Sequence, residues 1–157
     1  MDKIVEVDTA ESLTEPHHFE APFVSLNAKR ELLFVYGILK RGFELDLSNY
    51  GGEFLSEAKL HGANIYSIGD GVGLRLSENS KDIVHGEVFE IPNNLWKWLD
   101  AIENHPYTYK REIVKVIRRI DNGISVMRSF VYIHQYQFEN YKNSKKFEDG
   151  RYPLANF

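Results

Sequence analysis

A short apolar run ending on a glycine constrains this chain more than any other stretch. Leu32-Leu33-Phe34-Val35 is continuous in apolar character, which fits a strand buried on both faces. It runs into Tyr36-Gly37-Ile38-Leu39 and then Lys40-Arg41-Gly42, so a core strand has to turn sharply beside two cations. Such a turn offers consecutive backbone N–H groups next to positive charge, an arrangement suited to an anion such as a carboxylate.

Further on, the sequence predicts more strands around one firm helix. Phe54 to Ile68 has strand character broken at Gly62, and Gly69-Asp70-Gly71-Val72-Gly73 marks a backbone turn near a pocket. That glycine run has neither the Lys-Ser/Thr ending of a phosphate loop nor Rossmann spacing. Ile83 to Ile91 reads as a central strand, with Gly86 marking a bulge or a close approach. Pro92 is expected to start a helix in which Leu95, Trp98, Leu99 and Ile102 form one apolar stripe, stopped by Asn104-His105-Pro106. Tyr109 to Ile120 and Ile124 to His134 flank Asp121-Asn122-Gly123, whose Asn-Gly pair signals a hairpin. Strands, one helix, then more strands give an α+β fold, with a small mixed, mainly antiparallel sheet or barrel and flanking helices. Residues 1–30 lack a clear period and are expected to form an N-terminal extension, leaving 31–157 as the domain. From about Tyr136 the chain reads as a tail laid over that domain.

Composition narrows the function classes. A net charge of −4 gives no electrostatic footprint for nucleic acid, and no apolar stretch is long enough for a membrane span. The absence of cysteine fits a reducing, cytoplasmic setting and leaves no thiolate chemistry. The histidines lack metal-ligand spacing, and no serine sits in a nucleophile elbow, so neither a metal nor another cofactor is expected.

Glu103 remains as the residue best suited to chemistry. It lies four residues beyond Leu99, on nearly the same side as the apolar stripe, where an unpaired carboxylate is unusual. The negative end of the helix and partial burial both predict a raised pKa, suited to proton transfer near neutrality. Pairing with Lys110 or Arg111 is the structural alternative. Asp100, three residues earlier, falls off the stripe and is expected to be solvated. Tyr36, Tyr109 and Tyr132 are placed to add hydroxyls to a pocket or aromatic rings to the core.

Three segments together resemble one family. Val35 to Gly42 is similar to the Y-G-S/T-L-K/R-K/R-G signature of the gamma-glutamylcyclotransferase-like (AIG2-like) proteins. His85-Gly86-Glu87-Val88-Phe89 resembles their G-E-V/L-Y/F strand, and Leu99 to Glu103 followed by Tyr109-Lys110-Arg111 their L-D-x-x-E and Y-x-R element. The matches keep the family's order over roughly residues 32 to 134. The closing Asp149-Gly150-Arg151-Tyr152 is similar to the tail of the gamma-glutamylamine cyclotransferase branch. The resemblance implies a barrel-like cradle and a small-molecule γ-glutamyl substrate whose α-amine attacks its own γ-carbonyl, releasing 5-oxoproline. It implies Glu103 as the acid/base and the Tyr36, Gly37, Ile38 and Leu39 loop as the holder of the substrate carboxylate. Tyr109 and Tyr132 are then neighbours of the pocket. Ile38 departs from the family's Ser or Thr, which keeps open a binding module without turnover on the same fold.

Overall fold

A computed structural model describes residues 29–69, 71–135 and 144–152. Its strands are β1 (Arg30–Val35), β2 (Glu53–His61), β3 (Ala63–Ile68), β4 (Gly71–Leu76), β5 (Ile83–Pro92), β6 (Tyr109–Ile120), β7 (Gly123–His134) and the short β8 (Lys145–Lys146). One α-helix, α1 (Trp96–Glu103), and two 3-10 turns, Leu47–Tyr50 and Asn93–Leu95, complete the described elements. None of these helices is long and apolar enough to cross a membrane.

Five strands close into a barrel in the order β1-β5-β2-β6-β7. Its pairings are antiparallel except at the seam, where β1 meets β7 in parallel at Leu33 and Phe130. The mixed, mainly antiparallel α+β barrel expected from the sequence is therefore the fold. A second sheet, β4-β3-β8, lies beside it.

Alternation along β1 shows why its run is continuously apolar. Phe34 and Tyr36 enter the core shared by the barrel interior and the second sheet, with Leu60, Ile65, Leu74, Val84 and Val131. Leu33 and Val35 enter a second core with Phe89, Ile91 and the apolar stripe of α1. Leu95, Trp98 and Leu99 are buried there, each contributing about 1.5–3 kcal/mol of apolar burial. That packing presses α1 onto the barrel and sets where its last residue, Glu103, points.

The helix begins later than expected. Pro92 stays in β5, extended at φ −72° and ψ 146°, because it pairs with Arg30 across the sheet. The 3-10 turn then intervenes before Trp96. At the other end Asn104 adopts the left-handed conformation (φ 53°), and its N–H closes onto the carbonyls of Ala101 and Asp100. Among the described tail residues, β8 pairs with β3, and the Gly150 carbonyl accepts the His85 N–H at 2.8 Å. The readings of residues 1–28, 136–143 and 153–157 lie outside the described residues.

Candidate functional site

Where β1 leaves the barrel, the turn is fixed through its carbonyl groups. The Gly37, Ile38 and Leu39 carbonyls accept from the N–H groups of Lys40, Leu45 and Leu47 at 3.0, 2.9 and 3.2 Å. The N–H groups of Gly37, Ile38 and Leu39 meet no acceptor among the described residues. All three residues line a cavity of about 130 Å³. Consecutive free N–H groups at a concave wall, a nest, are the kind of backbone feature that suits an anion. Gly37 is glycine for a steric reason, since a Cβ there would sit 2.5 Å from the Val72 side chain on the facing wall.

Glu103, Tyr36, Tyr109 and Tyr132 line the same cavity, so the residues singled out from the sequence come together at one place. Each tyrosine hydroxyl already has an acceptor. Tyr36 donates to the Tyr132 carbonyl at 2.7 Å and Tyr109 to the Val72 carbonyl at 2.7 Å. Tyr132 donates to Asp100 Oδ1 at 2.6 Å. Burial, with the fields of Tyr109 and Glu103 added, pushes the Tyr36 hydroxyl well above the ordinary tyrosine range. Burial and the hydrogen bond to Asp100 raise Tyr132 likewise. Both therefore stand as neutral donors that shape the walls.

Glu103 has no hydrogen-bond or ion-pair partner among the described residues. Although the residue is only half-buried, burial pushes its carboxyl up to about 7, and the nearby Asp100 charge adds to the shift. The helix end acts in the same direction.

Two expectations are corrected. Lys40 and Arg41 do not flank the cavity. The Lys40 ammonium donates to the Tyr152 carbonyl at 3.2 Å, while Arg41 lies over the Phe54 ring at 3.5 Å and is engaged by Glu87. Both cations are drawn away from the turn, so neither stands on the cavity wall beside the free N–H groups. Nor is Asp100 solvated. It accepts from Tyr132 and holds the Arg111 guanidinium at 2.9 Å, with Arg111 stacked 4.1 Å over the Trp96 ring. Arg111 is thus spent on Asp100 and Lys110 reaches Glu112 at 4.0 Å, which leaves the Glu103 carboxyl free of both.

Asp100 and Arg111 thus form a paired network with Tyr132 next to the cavity, which sequence reasoning passed over. The available signal was their place in the same L-D-x-x-E and Y-x-R segments as Glu103. Asp100→Asn is expected to lower the Glu103 pKa by removing a neighbouring charge. It should also destabilise the fold by roughly 1–3 kcal/mol, because Arg111 loses its charged acceptor. Carboxyl titration by NMR and thermal unfolding check the two effects separately. Glu44, exposed at the rim, also lines the cavity and was not anticipated. Among the described residues no three acidic or histidine side chains gather as metal ligands would.

The family model described as gamma-glutamyl cyclotransferase, AIG2-like, matches residues 33–154. A protein of Methanocaldococcus jannaschii, provisionally named a gamma-glutamylcyclotransferase, is 35% identical over 98 residues, covering 59% of this chain and 76% of the relative. Among solved structures, an AIG2-like protein of Mus musculus superposes with a TM-score of 0.59 at 23% identity, over 82% of this chain and 98% of that one. An uncharacterised protein of Pyrococcus horikoshii gives 0.56 at 20% identity, over 78% and 89%. The chain belongs to the gamma-glutamyl cyclotransferase, AIG2-like family.

Proposed function

We propose that this family member releases 5-oxoproline from a γ-glutamyl amine or γ-glutamyl amino acid, with residues 31–157 as the catalytic domain. The observation that carries the reading is a partner-free Glu103 lining the same cavity as Gly37, Ile38 and Leu39, whose N–H groups are unpaired among the described residues. In this mechanism the N–H nest holds the substrate α-carboxylate. The Glu103 carboxylate takes a proton from the α-ammonium, and the freed amine attacks the γ-carbonyl to close a five-membered ring. Collapse of the tetrahedral adduct breaks the bond to the leaving nitrogen, which receives the proton from Glu103. No water enters the balance, and substrate yields 5-oxoproline plus amine.

The chemistry asks little of the protein beyond placement. Holding amine and carbonyl together makes the attack intramolecular, and one carboxyl with a pKa near neutrality suits both proton transfers. The cavity has room for one glutamyl-sized group, so the leaving amine extends past the mouth, where Glu44 stands. Ile38 is tolerable here because the nest uses backbone N–H groups. The Asp149-Gly150-Arg151-Tyr152 tail favours γ-glutamyl amines as the first compounds to try.

A panel of γ-glutamyl amines, γ-glutamyl amino acids and glutathione provides the test. Release of 5-oxoproline from at least one class, without release from α-glutamyl isomers, is the expected outcome. Ile38 gives a specific reason to consider a second reading, a ligand-binding module. Thermal stabilisation by panel compounds with no turnover of any would establish that reading instead.

A further inference from the structure

A second concavity, of about 540 Å³, is lined by residues of β2, β5 and β6, by Ile124 near the tip of the β6–β7 hairpin, and by Asp149, Arg151 and Tyr152. That volume is in the range of small-ligand sites, whereas the substrate cavity is far smaller. Five cations line it: Lys40, Lys59, Arg118, Arg119 and Arg151. Three acids, Glu57, Glu87 and Asp149, line it too. Glu57 and Glu87 are answered by Arg41, whose guanidinium lies 3.9 Å from one and 3.3 Å from the other. Among the described residues Lys59, Arg118, Arg119 and Arg151 form no ion pair. A chain of net charge −4 therefore concentrates unanswered positive charge in one groove.

A second observation falls at the same place. The Arg118 Nε is buried and has no hydrogen-bond partner. A buried donor without an acceptor is destabilising, and guanidinium groups match phosphate oxygens in geometry. The crowding also shows in Lys40 and His85. Burial foremost, with Arg151 adding to it, holds both below their ordinary values, although Glu87 opposes the effect at Lys40.

We propose that this groove is a binding site for a small phosphate-bearing anion, separate from the glutamyl cavity. Phosphate oxygens bridge Arg118 and Arg119 on β6 to Arg151 on the C-terminal segment, with Lys59 on β2 adding a further cation. The ligand sits on the reverse side of the substrate turn, since Lys40 directly follows the N–H nest and lines the groove. Binding here does not depend on the cyclotransferase reading, and it is tested without a turnover assay.

Calorimetric titration of the full chain with tripolyphosphate, pyrophosphate and inorganic phosphate, with citrate as a non-phosphate polyanion, provides the test. Tripolyphosphate is expected to bind one to one and more tightly than citrate. Arg118→Gln with Arg119→Gln should weaken it by about tenfold or more, and Arg151→Gln gives the same readout from an independent element. Lys115→Gln with Arg128→Gln, on the same hairpin but outside the groove, should leave the affinity within about twofold. Absence of binding, equal losses in the control variant, or equal affinity for citrate would overturn the proposal. Binding of a single-stranded oligonucleotide that tightens with its length would also overturn it, assigning the groove to nucleic acid.

Discussion

Replacing Glu103 by Gln is expected to lower the rate of 5-oxoproline release about a thousandfold or more while making the chain harder to unfold above pH 8. The first effect follows from the two proton transfers assigned to this carboxyl. General acid–base catalysis contributes about 10²–10⁴-fold, and three orders of magnitude correspond to about 4 kcal/mol of transition-state stabilisation. The second follows from its surroundings. Glu103 has no partner among the described residues, so its ionised form is held in a partly buried place without compensation. Its folded value of about 7 lies above the ordinary 4.5, so folding takes up a proton between those two values. The stability of the wild-type chain accordingly falls as pH rises from about 4.5 to about 7 and does not recover above that. Gln carries no charge to bury and escapes this loss, worth roughly 1–3 kcal/mol at alkaline pH. Near pH 4.5 the two chains should converge. Activity and thermal unfolding measured across pH on both chains test the pair of effects. A variant that keeps its turnover removes Glu103 from the mechanism. One that loses turnover and stability together at pH 8 makes the residue structural.

The halves of this site were legible in the sequence because each carries a local anomaly. A carboxylate on an apolar stripe and a glycine at the end of a buried strand are both visible without knowing what lies opposite. The stripe of Leu95, Trp98 and Leu99 fixed the buried face of α1, and the Asn122-Gly123 pair placed the hairpin. What could not be read were outcomes of competition between long-range partners. Lys40 and Arg41 follow the nest in sequence, but Glu87 and the Tyr152 carbonyl, far along the chain, draw them to the other side. Asp100 looks solvated on a helical wheel. It becomes a half-buried acceptor only when β6 and β7 bring Arg111 and Tyr132 to it. The parallel seam between β1 and β7 is equally non-local, joined at Leu33 and Phe130. Pro92 was drawn into the sheet by its pairing with Arg30, against its local preference for a first helical turn.

Gly86→Ala is expected to destabilise the fold by about 3 kcal/mol, lowering the melting temperature by roughly 6–12 °C, and to weaken substrate binding at a cavity that Gly86 does not line. The sequence marked Gly86 for a bulge or a close approach, and it is a close approach: an added Cβ would meet the Val35 carbonyl oxygen and the Phe34 ring, with the nearest ring atom at 2.7 Å. Neither neighbour can yield cheaply. Phe34 is 1% exposed and enclosed by the barrel core, and Val35 is locked in its register opposite Glu87. The remaining relaxation is for the end of β1 to move away from β5. Tyr36 to Leu39 begin at that end, so the shift carries the N–H nest with it. The expected signature is a raised KM with a smaller change in kcat, because the nest continues directly from β1, whereas Glu103 is carried on α1 and feels β1 only through the core they share. Adding Phe34→Leu in the same chain should recover only the share of stability owed to the ring, leaving the contact with the carbonyl in place. Melting temperatures and steady-state kinetics of the single and double variants measure both shares. If the double variant regained full stability and wild-type KM, the ring alone would be the obstacle, and β1 would not be the element through which Gly86 acts on the nest.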